Sequence, residues 1–512
     1  MRALLRRLAA CVALLSASPA AAQGPSRAQA IADAITELDV ERARSLLEKT
    51  DSASPTIAFE RARLAIYLGD CDTASAILSS VELGGTPEGA GLAELAKSCA
   101  RATAGALVEE DKNAGVWIRL QDEADRALVP LIVDVAVRAR AQIEADLGTV
   151  LPRPLRLDLV RDLFTLSAIS GLPVTAAETT GTVAVARWGR VTMISPRATH
   201  LGYPWEDTLA HEIAHLALTR ATRDRAPLWL QEGIAKREET RWREPRPFDG
   251  TPSADSVART AILSGRSVGV DKLGPSIAML PTPEAAATAF SEVTSFVAYW
   301  VRENGVPALH LLANDLKGSG GDDASIALRS VSGYDLNGWI LKWHDALLRQ
   351  TEATAAPAKP PHALPRRGDD PARRTRLGDL LFSRGHSREA ATQFEPAAKA
   401  LASEPALRFR WARALCDAGR NADARTALGG LEDVRTVHGG WQALSGRFRA
   451  EAGERPAAQA AFALGIAVDP LSEDVACEGQ WSPRAAGKPA PALPDDARRR
   501  ALCEAARLVP RD

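Results

Sequence analysis

The chain has 512 residues, with Lys+Arg 63 against Asp+Glu 64 and a formal charge of −1. That length suits about two to four domains, and so even a balance argues against nucleic acid or an anionic membrane surface as the main partner. Frequent Ala and Arg beside 3 Met and 4 Tyr reads as genome composition, not as function.

The first residues read as an address. "MRALLRR" is basic, "LAACVALLSA" is a short apolar run, and "SPAAAQG" offers a small-residue cleavage site near Ala22. This is the pattern of a secretory signal peptide over 1–22, too short to span a bilayer. Its removal takes Arg2, Arg6 and Arg7 and moves the formal charge from −1 to −4. No later stretch is long and apolar enough to cross a membrane, so the expectation is a periplasmic or secreted protein. Five cysteines follow the leader, none in a C-x-x-C pair. An oxidising compartment allows disulfides, and neighbours in sequence suggest Cys71–Cys99 and Cys477–Cys503, although spacing does not decide connectivity. Cys416 is left over in an apolar helix and reads as a buried thiol.

Residues 23–108 read as N-terminal helical hairpins, TPR-like. "AQAIADAITELDVERARSLLEK" and "AFERARLAIYLGDCDTASAILSSV" both carry apolar residues at helical spacing, with Gly69 at a turn and Ala74 after it. The texture changes at about Asn113. "GVWIRLQ" predicts a strand, a long helix follows from about Asp122 to Leu147, and "LRLDLV" (155–160) is a second strand. "GTVAVARWGRVTMISP" (181–196) predicts one or two more, ended by Pro196. Strands first and helices after, to Arg349, make an α+β domain over 109–350.

Its first helix after the strands holds "HEIAH". Residues four apart on a helix share a face, so the imidazoles of His211 and His215 can reach one metal at about 2.0–2.1 Å. Glu212 is turned by about a third of a turn, beside such a metal and not on it, which suits a base. The flanking positions are apolar, and ionisable groups in such a helix are costly unless used. Pro227 can open a new helix, and "LWLQEGIA" places Glu232 among large apolar residues, 17 beyond His215. That is the position a carboxylate third ligand would need, and Gly233 beside it permits close backbone approach. Asp207, four before His211, could orient that imidazole's other nitrogen or serve as a helix N-terminal acid.

"HEIAHLAL…PLWLQEGIAKREE" resembles the gluzincin metallopeptidases, in particular peptidase MA-like domains, over about residues 110–350, including "SFVAYWVRENG" (295–305). The resemblance implies a zincin-like fold, Zn2+ held by His211, His215 and Glu232, and Glu212 as general base and acid. It implies that the strand around Gly189–Ser195 is the sheet edge over the cleft, where a peptide could pair by β-addition. In such a site zinc acidifies a water, and Glu212 takes its proton and passes it to the leaving amine. Two positions depart from the pattern. Tyr299 stands nine residues beyond Phe290, where similar domains show a tyrosine; half a turn separates the two phases, so Tyr299 reads as a packed aromatic. Lys236 occupies a position where related domains place an acid.

"TEATAAPAKPPHALPRRGDDP" reads as a Pro/Ala-rich linker over 351–372. Beyond it Gly385, Gly419 and Gly453 lie 34 apart, as do Ala390, Ala424 and Ala458, and Phe394, Leu428 and Phe462. A 34-residue helical period is the tetratricopeptide signature, so 373–476 reads as a TPR-like α-solenoid with a surface for a protein partner. Residues 477–512 read as a loop and a capping helix. The expectation is a mostly helical α+β protein: a zinc metallopeptidase acting on a peptide or protein substrate. The alternatives are a catalytically weak peptidase-like domain in a TPR scaffold that binds a partner of the cell envelope, and a zinc hydrolase of another bond. An intact Glu212 favours the first, because a purely structural metal site has no need of it.

Overall fold

The computed structural model describes residues 26–50, 54–80, 86–199, 202–246, 249–250, 252–318, 324–349, 370–402, 404–429, 438–477 and 497–508. The leader at 1–22, most of the 351–372 linker and the loop at 478–496 lie outside the described residues. What is described is mostly helical around one five-stranded mixed sheet, an α+β arrangement. Among the described residues no helix is long and apolar enough to cross a membrane.

Five helices come first, each packed on the next: α1 (Arg27–Thr36), α2 (Val40–Glu48), α3 (Pro55–Tyr67), α4 (Cys71–Ser80) and α5 (Pro87–Thr103). Gly69 closes the α3–α4 turn at φ +82°, a left-handed conformation that glycine adopts without strain. Cys71 and Cys99 join α4 to α5 as a disulfide.

The sheet runs β1 (Leu107–Asp111), β2 (Val116–Leu120), β3 (Leu155–Val160), then β5 (Arg190–Ile194) and β4 (Ala184–Arg187) at the far edge. β2, β3 and β5 are parallel, and both edge strands pair antiparallel. The strand at Gly189–Ser195, expected at the edge, is therefore interior, and β4 is the edge. The cause is the two-residue turn at Trp188 and Gly189, with φ +56° and +69°, which folds the chain back tightly in the manner of a primed hairpin turn. β1, absent from the sequence reading, alternates half-buried and exposed positions and is acidic, so it lacks an apolar strand signal.

Between β2 and β3 lie a 3-10 turn (Glu123–Leu128) and α6 (Val129–Leu147), in place of one continuous helix. Pro130 falls in the first turn of α6, where its missing N–H breaks no bond. After β3 come α7 (Leu163–Ser170) and α8 (Val174–Thr180). Beyond β5 follow α9 (Trp205–Thr222), α10 (Leu228–Glu238), α11 (Ala254–Leu263), α12 (Pro283–Asn304), α13 (Val306–Gly318), α14 (Ala324–Ser332) and α15 (Leu336–Arg349). α9 is the central element: it packs on α6, α10, α13 and both strands of the β4–β5 hairpin. Leu209, Ala210, Ile213, Ala214, Ala217 and Leu218 are each at most 2% exposed.

The C-terminal helices are α16 (Pro371–Ser383), α17 (Ser387–Ala400), α18 (Pro405–Asp417), α19 (Asn421–Leu428), α20 (Gly439–Glu451), α21 (Arg455–Val468), α22 (Glu473–Ala476) and α23 (Ala497–Leu508). Gly385, Gly419 and Gly453 stand at φ +80°, +79° and +82°, each between the two helices of a hairpin. Ala390, Ala424 and Ala458 are buried where those helices approach. Cys477 and Cys503 are joined, tying α22 to α23, and Cys416 is free and buried.

Both flanks are fastened to the sheet domain. Buried Asp158 on β3 receives Arg119 at 2.7 Å and Arg190 at 2.8 Å. Arg119 also donates to Gly69 O, and Arg190 to Ile66 O, at the end of α3. On the other side, Tyr203 N donates to Val468 O at 3.0 Å and Trp205 Nε1 to Ile466 O at 3.2 Å. Leu471, Cys477, Leu502 and Cys503 share one apolar core with α9.

Candidate metal centre

α9 begins after Pro204 with Glu206 and Asp207 in its first turn, where acids suit the helix dipole, and ends in a left-handed residue, Arg223. Within it His211 and His215 project side by side, their Nε2 atoms 3.2 Å apart. α10 crosses α9 and brings Glu232 to the same point. Its Oε2 is 3.6 Å from His211 Nε2 and 3.7 Å from His215 Nε2. Gly233 lets α10 lie against α12: a Cβ there would sit 2.3 Å from Val297 Cγ2 and 2.8 Å from Val293 O. Among the described residues this is the one group of three or more His, Cys, Asp or Glu whose donor atoms converge.

The separations fit a metal. Three ligands at about 2.0–2.1 Å in tetrahedral directions are about 3.3 Å apart, and the observed spacings bracket that value from 3.2 to 3.7 Å. Two imidazole nitrogens and a carboxylate oxygen form a donor set that a zinc ion can take, with room for a fourth ligand. The three side chains are 13–17% exposed, so a small ligand can reach them.

Burial opposes charge on His211, Glu232 and Glu212, and for the first two the attraction of neighbouring charges outweighs it. For His211 desolvation pushes the pKa down, but Glu232 and Glu239 outweigh it and lift it to about 9. Burial would raise Glu232, yet the two histidines hold it below the usual carboxylate value. Glu212 is 6% exposed. Burial pushes its pKa up, against His215 and His211, and Glu232 adds to the rise.

Glu212 accepts a hydrogen bond from the backbone of Ala186 on β4. The direction of that N–H follows from the ladder. Ile194 N donates to Val183 O, so hydrogen-bonded pairs alternate along the hairpin, and Ala184 and Ala186 turn their polar groups outward. The free edge of the sheet thus faces Glu212.

Both ring nitrogens remote from the cluster have partners. His215 Nδ1 lies 3.1 Å from Gln231 Oε1, and His211 Nδ1 lies 3.3 Å from Glu239 Oε2. Asp207 does not orient His211; it forms a two-point ion pair with Arg243, at 2.7 and 2.6 Å. Arg243 comes from a loop beyond α10, so no spacing along α9 could have shown it. Tyr299 packs edge-on to Trp339 with the Arg302 guanidinium over its ring, in keeping with a packed aromatic. The Lys236 ammonium lies 5.9 Å from the centre of the Phe290 ring and pairs with Glu239.

No family model, curated protein or solved structure matches the chain.

Proposed function

We propose that the chain is a zinc-dependent metallopeptidase of gluzincin type, exported to the periplasm or beyond, with His211, His215 and Glu232 as metal ligands and Glu212 as general base and acid. The convergence of those three donors at 3.2–3.7 Å carries the reading. Zinc, when bound, supplies a Lewis acid that polarises a carbonyl and acidifies a water.

The remaining roles belong to this chain's own groups. A peptide laid along β4 meets the outward backbone of Ala184 and the carbonyl of Ala186, the Ala186 N–H being taken by Glu212, and strand addition there fixes its direction and depth. Glu212 lies at that edge, and the upward shift of its pKa moves it towards working pH, where a base that must also return its proton performs best. The helical hairpins, fastened at the start of α9 through Val468 and Ile466, offer a surface for a protein partner or substrate. Two disulfides support an oxidising destination.

A second reading, a binding protein that keeps the metal but cuts poorly, draws support from Tyr299, which packs on Trp339 and Arg302 and leaves the oxyanion donor unassigned. One experiment separates the two. Zinc content and cleavage of a broad peptide library are measured on the parent and on Glu212→Gln. Zinc near one per chain in both, with cleavage by the parent alone, supports the peptidase. Zinc in both without cleavage by either supports the binding protein, and no zinc in either refutes both.

A further inference from the structure

We infer that Glu239 is the positioning residue of the metal centre: it accepts from His211 Nδ1–H, and Lys236 serves as its counter-charge. This inference rests on the metal-site reading above. A histidine that ligates through Nε2 needs an acceptor for its other ring proton, which fixes its tautomer and strengthens it as a donor. The two histidines here are served differently. His215 has the neutral amide oxygen of Gln231, whereas His211 has the carboxylate of Glu239 at 3.3 Å.

Three observations set Glu239 apart from an ordinary helix-end glutamate. It follows the last residue of α10, where a carboxylate is opposed by the helix dipole, so its placement costs stability unless it has a task. Its turn is also braced. Glu239 N donates to Ala235 O at 3.0 Å, Trp242 Nε1 donates to Glu239 O at 3.0 Å, and Arg237 and Arg241 tie the same turn to Asp146 of α6 at 3.2 and 2.8 Å. Such bracing holds an orienting group to the small tolerance a metal site needs. Lastly, Lys236 reaches the same Oε2 that faces His211.

The charges then balance. A bound dication with Glu232, Glu212 and Glu239 would leave the buried cluster one unit negative, and Lys236 cancels it.

The test is zinc affinity by chelator competition, together with the melting temperature of the metal-free chain, for the parent, Glu239→Ala and Glu239→Gln. Loss of an orienting partner typically weakens metal binding by about 10–100-fold, and that is expected for Glu239→Ala. Glu239→Gln keeps an oxygen acceptor but loses the charge, so its affinity falls between the two. Glu239 pairs with His211 and Lys236 in the metal-free chain too, so affinity is measured where each variant is folded; a merely structural role would lower the melting temperature and leave that affinity unchanged. Parent-like affinity in Glu239→Ala overturns the inference; should that variant not fold, parent-like affinity in Glu239→Gln does so instead. A parent that takes no zinc removes the metal-site reading itself, and this inference with it.

Discussion

Gly233→Ala is the most informative single perturbation, because it acts on the proposed ligand Glu232 through packing alone. The added Cβ would lie 2.3 Å from Val297 Cγ2 and 2.8 Å from Val293 O. Ordinary carbon–carbon contact is about 3.5–4.0 Å, so more than about 1 Å of overlap must be relieved. Val297 could turn away, but the Val293 carbonyl belongs to the backbone of α12 and cannot. The two helices must therefore separate. Overpacking of this kind costs about 1–3 kcal/mol, and the upper part of that range applies where backbone is struck. Alanine returns about 0.8–1.0 kcal/mol of helix propensity, which leaves a net loss of about 1–2 kcal/mol. Glu232 is the adjacent residue, and a site that tolerates about 0.5 Å of displacement loses at least about tenfold in zinc affinity. Calorimetry of the metal-free chain and chelator competition read the two effects. A variant with the parent's melting temperature and the parent's zinc affinity would refute both the close approach and its link to Glu232.

Other perturbations probe the rest of the architecture. Gly202→Ala places a Cβ 2.1 Å from Val468 O at a position with φ +68°; a loss of about 2–4 kcal/mol is expected, with the C-terminal helices released to limited proteolysis, and undiminished protease resistance contradicts this. Cys477→Ser opens a disulfide with a sequence separation of 26; chain entropy for such a loop is about 3–4 kcal/mol, read as a lower denaturation midpoint under oxidising conditions. Burial, opposed by Arg237 and aided by Asp146, lifts Glu238 from 4.5 to about 8. The folded chain therefore holds a proton that the unfolded chain has lost, so this group's stabilisation is full below about 4.5 and fades as pH rises through about 8. Glu238→Gln, a mimic of the protonated form, should gain melting temperature relative to the parent as pH rises over that range; a difference that does not change with pH contradicts it.

What could be read from the sequence was what is local. His211, Glu212 and His215 lie within one turn and a half of a helix, and a helix of known pitch fixes which side chains share a face. Glu232 was legible only beside His211 and His215, because alone it reads as an ordinary helix glutamate among Trp229, Leu230 and Ile234. Gly385, Gly419 and Gly453 announced their turns by a fixed period. The features that escaped depend on contacts between distant segments. β4 became the edge through the order of strand pairing, which no single strand encodes. Asp207 occupied the right face for His211, but Arg243, from beyond α10, claimed it. Glu239 was missed because it lies past the end of its helix, seven residues from Glu232, where reach is set by how α10 crosses α9. The one hint was a lysine at position 236, which needed an acid nearby.

The most direct test of the account is anomalous diffraction at the zinc edge from crystals of the chain purified with zinc. The account predicts one strong peak about 2.0–2.2 Å from Nε2 of His211, Nε2 of His215 and a carboxylate oxygen of Glu232. A peak at other residues, or none at this cluster with zinc in excess, would contradict it.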